Sequence, residues 1–235
     1  MLIDADNANP KVIEALLGEV SRYGIASVKR AYGDWTTQQL GGWKTSLLDH
    51  SIQPMQQFAN TKGKNATDSA MIIDAMDLLH MRGLDGFCIV PSDSDFTGLA
   101  RRIRENGLLV VGFGEKKTPK AFVVACDRFV YTELLQPPEA KSAATTVASP
   151  EPPREVLDLI RNAIEAASDD TGWAPLSAVG SNIAKQSPDF DSRSYGHAKL
   201  SGLVKSLPKH FQVQDRPRPD GQSKVVFIRD RQSAA

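Results

Sequence analysis

The chain has 235 residues, enough for one large domain or two small ones, and its 41% hydrophobic and 24% charged content is ordinary for a globular protein. Lys plus Arg (28) balances Asp plus Glu (28), which argues against a binder that holds nucleic acid by bulk positive charge alone. No apolar run approaches the roughly 20 residues of a membrane span, Met1-Leu2-Ile3-Asp4 lacks the basic and apolar regions of a signal peptide, and Cys88 and Cys126 sit in apolar patterns as expected of buried, reduced thiols in a cytoplasmic protein. In chain order, Leu2–Asp4 is a short apolar entry. Pro10–Tyr23 carries Val12, Ile13, Leu16, Leu17 and Val20 at helical spacing, with Asn9 as N-cap and Pro10 in the first turn. Ile25–Tyr32 reads as a strand, Thr36–Asp49 as a helix, Ile52–Phe58 as a strand and Thr67–Met81 as a helix. Gly86–Pro91 is a buried-type strand, Phe96–Asn106 a helix closed by Gly107, Leu108–Phe113 a strand, Ala121–Cys126 a short helix and Phe129–Tyr131 a last strand. Continuous apolar strands alternating with helices predict an α/β domain whose parallel sheet is covered on both faces.

Residues 136–153 hold five prolines among small residues and no apolar period, the composition of a disordered linker. The chain beyond it changes character. Arg154–Ala167 is amphipathic, Pro175–Gln186 and Tyr195–Leu207 are further helices, and Phe211–Gln214 and Lys224–Arg229 flank a turn carrying Asp220-Gly221. Three helices followed by a hairpin predict a small winged-helix (α+β) domain, with Trp173 packed beneath its second helix and Tyr195 in or near the core. The expected domains are therefore 1–135 and 154–230.

Four carboxylates are notable for their positions. Asp4 ends the first strand, Asp68 opens the third helix, and Asp93 and Asp95 follow the Phe-Cys-Ile-Val strand. Groups at the carboxyl ends of parallel strands gather at one sheet edge. Converging carboxylates repel one another, and a hard divalent cation relieves that cost: Mg²⁺ and Mn²⁺ take oxygen ligands, and no His stands beside these acids. Such a metal can activate water for attack on a phosphodiester. Each acid also has a plainer role open to it, Asp95 as a helix cap and Asp68 in a first turn favoured by the helix dipole.

Leu2-Ile3-Asp4-Ala5-Asp6-Asn7, Lys64-Asn65-Ala66-Thr67-Asp68 and Ser92-Asp93-Ser94-Asp95-Phe96, with Ala31-Tyr32-Gly33-Asp34-Trp35 and Gly114-Glu115-Lys116-Lys117-Thr118-Pro119, resemble the NYN domains of the LabA-like branch, within the PIN-like nucleases. The resemblance implies a Rossmann-like PIN-type sheet and a Mg²⁺- or Mn²⁺-dependent ribonuclease. It carries metal roles onto Asp4, Asp68, Asp93 and Asp95, and makes Asn7 the polar partner of Asp4, with Asp6 orienting a ligand water. Lys62, Lys64, Lys116, Lys117 and Lys120 are candidates to hold substrate phosphates. Tyr32 and Trp35 either stack an unpaired base or pack under their loop.

The second segment, with Asp170-Thr171-Gly172-Trp173-Ala174-Pro175-Leu176, Ser194-Tyr195-Gly196 and Leu200, Leu203 and Val204 before Phe211, resembles the LOTUS or OST-type helix-turn-helix domain over about 152–230. That implies RNA as partner, with protein docking as the other use of such domains. From Lys199 to Arg231 eight Lys/Arg stand against three acids, and Lys205 and Lys209 are the expected phosphate contacts. The expected function is thus a ribonuclease with a tethered RNA-binding module; the alternative is a non-catalytic RNA-binding adaptor. A small-molecule phosphatase, suggested by Asp4-x-Asp6, is disfavoured because Asn7-Ala8-Asn9-Pro10 does not continue that motif.

Overall fold

The computed structural model describes residues 1–58, 66–80, 83–91, 94–135, 152–217 and 224–232. The chain divides into two compact units, Met1–Lys141 and Ser142–Ala235.

The first unit is built on six parallel strands: β1 (Leu2–Asp4), β2 (Arg30–Gly33), β3 (Gln53–Gln56), β4 (Gly86–Val90), β5 (Leu109–Gly114) and β6 (Arg128–Tyr131), in the order β3-β2-β1-β4-β5-β6. Alternation along the strands sends Ile3, Ala31, Val111, Phe113 and Val130 to one face, where they pack with Ile13, Leu16 and Val20 of α1 (Ile13–Val20) and Trp43 of α2 (Trp43–Asp49). Leu2, Tyr32, Phe87, Ile89, Val110 and Phe129 face the other way. They meet Met71, Ala75 and Leu78 of α3 (Ala66–His80), Leu99 and Ile103 of α4 (Thr97–Glu105) and Phe122 of α5 (Lys120–Ala125). Burying each large apolar side chain contributes about 1.5–3 kcal/mol.

This strand order reverses between β1 and β4. From β1 the chain leaves to α1 on one face, and from β4 it leaves to α4 on the other, which opens a crevice beyond the carboxyl ends of those two strands. Leu2 pairs with Ile89 and Ile3 with Val90, so Asp4 stands level with Pro91, at the mouth of that crevice.

Several elements are shorter than their patterns suggest. Ile25 is 96% exposed and 25–29 lies outside the sheet, because pairing with β1 and β3 begins at Arg30. The expected helix 36–49 is a 3₁₀ segment, Gln38–Gly42, and then α2; Gly41-Gly42 disfavours a regular first turn. Asn9 does cap, its Oδ1 accepting the Lys11 N–H at 3.0 Å. Gly107 closes the turn after α4 with φ 78°.

The second unit contains α6 (Arg154–Glu165), α7 (Leu176–Gln186) and α8 (Leu200–Lys205), with β7 (Ala174–Pro175), β8 (Phe211–Pro217) and β9 (Lys224–Asp230) in an antiparallel sheet of order β7-β9-β8. Leu157, Ile160, Val179, Ile183, Leu203, Val204, Phe211 and Ile228 form its core, the arrangement of a winged helix. The predicted helix 195–207 is broken: Ser192–Tyr195 is a 3₁₀ turn ended by Gly196 at φ 79°, and α8 starts only at Leu200. Most of the expected linker (136–151), and the Asp220-Gly221 turn, lie outside the described residues. At the linker's far end Pro152 is already buried and Pro153 is the N-cap residue of α6.

Candidate active site

Asp4 is the most constrained acid at the crevice. Leu2 and Ile3 anchor β1 with no exposed surface, and Asp4 itself is 1% exposed. Its Oδ1 accepts the Asp6 backbone N–H at 3.0 Å and its Oδ2 accepts Asn7 Nδ2 at 3.1 Å, while its carbonyl takes the Ala8 N–H at 3.0 Å. The turn after β1 therefore folds back on the carboxylate and fixes its orientation. Asp6, exposed, accepts the Thr67 hydroxyl at 2.8 Å, which ties this turn to the first turn of α3. Gly33, at the end of β2, leaves room for the turn: a Cβ there would lie 2.6 Å from Leu40 Cδ1 and 3.0 Å from Asp6 Oδ1.

Asp68 is half-buried in the first turn of α3. It precedes Met71, Ala75 and Leu78 by three, seven and ten positions, so it continues the sheet-facing side of the helix to the edge where Asp4 ends. Asp95 is exposed in the short 3₁₀ turn Ser94–Phe96. It is not the N-cap of α4; that residue is Phe96, whose side chain caps nothing. Asp93 and Lys64 lie outside the described residues. Among the described residues no three His, Cys, Asp or Glu side chains come together as a metal cluster.

Of the two roles open to Tyr32 and Trp35, packing is the one they take. Tyr32 is 1% exposed, and its hydroxyl donates to Asp74 of α3, which also receives Arg30 Nη1 at 2.5 and 2.7 Å. Burial, then the bond to Asp74, pushes the Tyr32 phenol well above its usual range. Trp35 donates Nε1 to the Met55 carbonyl at 3.1 Å and packs edge-on against Trp43 with centroids 6.3 Å apart. Asp34 is likewise taken up locally, accepting from the Thr36 backbone N–H and hydroxyl and from Gln56 Nε2.

Among the cations, Lys116 and Lys117 are exposed beyond β5. Lys117 Nζ pairs with Glu115 Oε2 at 2.8 Å, a contact that raises its pKa, and the Lys116 N–H donates to Glu133 Oε1 at 2.9 Å. In the second unit Lys205, at the end of α8, pairs with Asp215 at 3.5 Å, and Lys209 is exposed just beyond. Tyr195 stacks on Phe190 at 6.0 Å beside the core. Trp173 is not under α7: it lies against Arg216 and Arg229, because alternation about Ala174 turns it away from the helices. Thr67 links the turn after β1 to α3, and the only signal of this in the sequence is its place beside Asp68.

The first unit is thus a parallel α/β domain with a buried carboxylate, Asp4, at the reversal point of its sheet, and the second a winged helix. Comparison with family models matches an NYN domain over residues 1–135 and an OST-HTH/LOTUS domain over residues 149–222; the chain belongs to the NYN family. Among solved structures it is similar to an uncharacterized protein of Nitrosomonas europaea, with 38% identity over 41% of this chain and 85% of that one and a TM-score of 0.31. It is also similar to a protein fragment of Chromobacterium violaceum, with 39% identity over 37% of this chain and 88% of that one and a TM-score of 0.28. No curated protein matches the chain. No helix among the described residues is long and apolar enough to cross a membrane.

Proposed function

We propose that the chain is a Mg²⁺- or Mn²⁺-dependent ribonuclease whose 154–230 domain engages RNA. The observation that carries this reading is Asp4: a carboxylate with 1% exposure, oriented by Asp6 N–H and Asn7 Nδ2, at the strand end beside β4 where the sheet order reverses. The donor types at this edge are all oxygen, which suits a hard cation and not zinc. Asp4, Asp68, Asp93 and Asp95 would hold the ion, and Asn7 would keep Asp4 Oδ2 in place. When bound, such an ion supplies a water of lowered pKa and offsets charge on the phosphodiester. Lys64, Lys116 and Lys209 are proposed phosphate contacts; for Lys117 and Lys205 the same role competes with Glu115 and Asp215. Two free thiols suit a reducing compartment, the cytoplasm.

The test is incubation of labelled single-stranded RNA with the pure chain in Mg²⁺, Mn²⁺ or EDTA, beside Asp4→Asn and Asp93→Asn. Cleavage in metal, none in EDTA and none by either variant is the expected result. Thermal melts complete it: wild type gains stability on adding Mn²⁺ and the variants gain less, since binding to the native state alone stabilises it. RNA binding without cleavage in either metal would favour the adaptor reading, and an active Asp93→Asn chain with an undiminished Mn²⁺ shift would remove Asp93 from the site.

A further inference from the structure

The three-stranded sheet of the second unit has an inner face in the core and an outer face of unusual make-up. Ala174 pairs with Ile228, and Phe211, Val213, Val226 and Ile228 face the helices. By alternation Trp173, Phe227, Gln212, Gln214, Arg216 and Arg229 share the outer face. There the Arg216 guanidinium carbon lies 4.9 Å from the Trp173 ring centroid and 4.3 Å from that of Phe227, and the Arg229 carbon lies 5.0 Å from Trp173. Gln214 Oε1 accepts from Arg216 Nε at 3.1 Å, and Gln212 Oε1 accepts from Arg229 Nη2 at 2.7 Å.

Resting on the RNA-binding reading above, we propose that this outer face is the docking surface for single-stranded RNA, with unpaired bases stacking on the guanidinium planes that Trp173 and Phe227 back and phosphates meeting the N–H edges of Arg216 and Arg229. Three observations support it. Two large aromatic rings, both half-buried, stand on the side of the sheet away from the core. The rings and glutamines hold both guanidiniums in place, which reduces the ordering cost of binding. Finally, among the described residues neither arginine is committed to an ion pair, so the face complements a polyanion. The carboxylate that feels Arg216, Asp169, is itself occupied: its Oδ1 accepts from the Thr171 N–H, the Thr171 hydroxyl and the Trp173 N–H. Every base has a stackable face, so recognition of this kind tolerates sequence change.

The test titrates the full chain, in EDTA, with an unlabelled twelve-nucleotide oligoadenylate while following tryptophan emission and affinity. Wild-type emission is expected to fall on binding. Trp173→Phe should keep affinity within about twofold, because a ring remains, but lose the quenching, since Trp35 and Trp43 lie in the other unit. Trp173→Ala should bind about tenfold more weakly or worse. Arg216→Gln, with its fold checked by a thermal melt, should lower the log–log salt slope by about 0.7. Quenching unchanged in Trp173→Phe, or affinity untouched by Arg216→Gln yet lost in a Lys205→Glu/Lys209→Glu chain, would move the RNA to the α8 side and overturn this proposal while leaving the RNA-binding reading intact. A wild-type chain that binds no oligoadenylate would overturn both and leave the face to a protein partner.

Discussion

Thr67 Oγ1 donates to Asp6 Oδ2 at 2.8 Å, joining residues 61 positions apart and holding the first turn of α3 against the turn that follows β1. Asp68 is the next residue, so the bond sets where that carboxylate stands relative to Asp4. Thr67→Val keeps the shape and removes the donor. The expected stability cost without metal is about 1 kcal/mol. If Asp4 and Asp68 hold a cation as proposed, the stabilisation on adding Mn²⁺ should shrink as well, because the ion would then have to order Asp68 itself. Paired melts with and without Mn²⁺ check this; an unchanged Mn²⁺ shift would mean the bond is ornamental.

Asp74 receives the Tyr32 hydroxyl and both bonds from Arg30 Nη1. Asp74→Ala leaves a phenol and a guanidinium without their acceptor at sites with little water, and should cost about 2–4 kcal/mol. Tyr32→Phe removes one donor only and should cost about 1 kcal/mol. Denaturant unfolding of both variants measures the difference, and equal costs would show that the Arg30 pair contributes little.

Cys126 is buried, and burial, then the nearby Asp127 charge, pushes its thiol up to about 12. The unfolded thiol titrates near its ordinary value of about 8.5. Below that value both states hold the proton and the contribution is fully present. As pH rises toward about 12 the unfolded chain gives up its proton first, so stability falls. Cys126→Ala should flatten this alkaline loss in melts between pH 8 and 10. In the native wild type a thiol reagent at pH 8 should modify Cys88, which is half-buried, faster than Cys126.

The two units have separate cores with no shared residue. A chain cut after residue 135 should therefore fold and, at saturating RNA and Mn²⁺, cleave with rates close to those of the full chain, losing mainly affinity. A folded but inactive 1–135 fragment would contradict this separation of chemistry from binding.

The sheet was legible in the sequence because β4 and β5 are buried on both faces, so Phe87, Ile89, Val110 and Val111 read as continuous apolar runs. Asp4 was legible for a related reason: an acid directly after two apolar residues marks a strand's end. The limits of β2 were not, since Ile25 and Val28 have strand character but no partner strand runs alongside them, and pairing is not a local property. That Tyr32 packs was one of two readings open in the sequence, but its polar partner was not legible, because Asp74 is 42 positions away. The role of Trp173 was hidden by β7, a two-residue strand too short to show a period yet long enough to decide which side of the sheet the indole takes. The break at Gly196 was available in principle, as a glycine inside an otherwise helical pattern.

Helix α3 is held at two positions about two turns apart, through Thr67 to the turn after β1 and through Asp74 to β2. Both anchors are within the helix itself. Asp68 lies between them, so its carboxylate is carried on a helix segment held at one end by the turn after β1 and at the other by β2. Losing one anchor would leave the helix to pivot about the other, and Asp68, one residue from the first, would move most when Thr67 lets go.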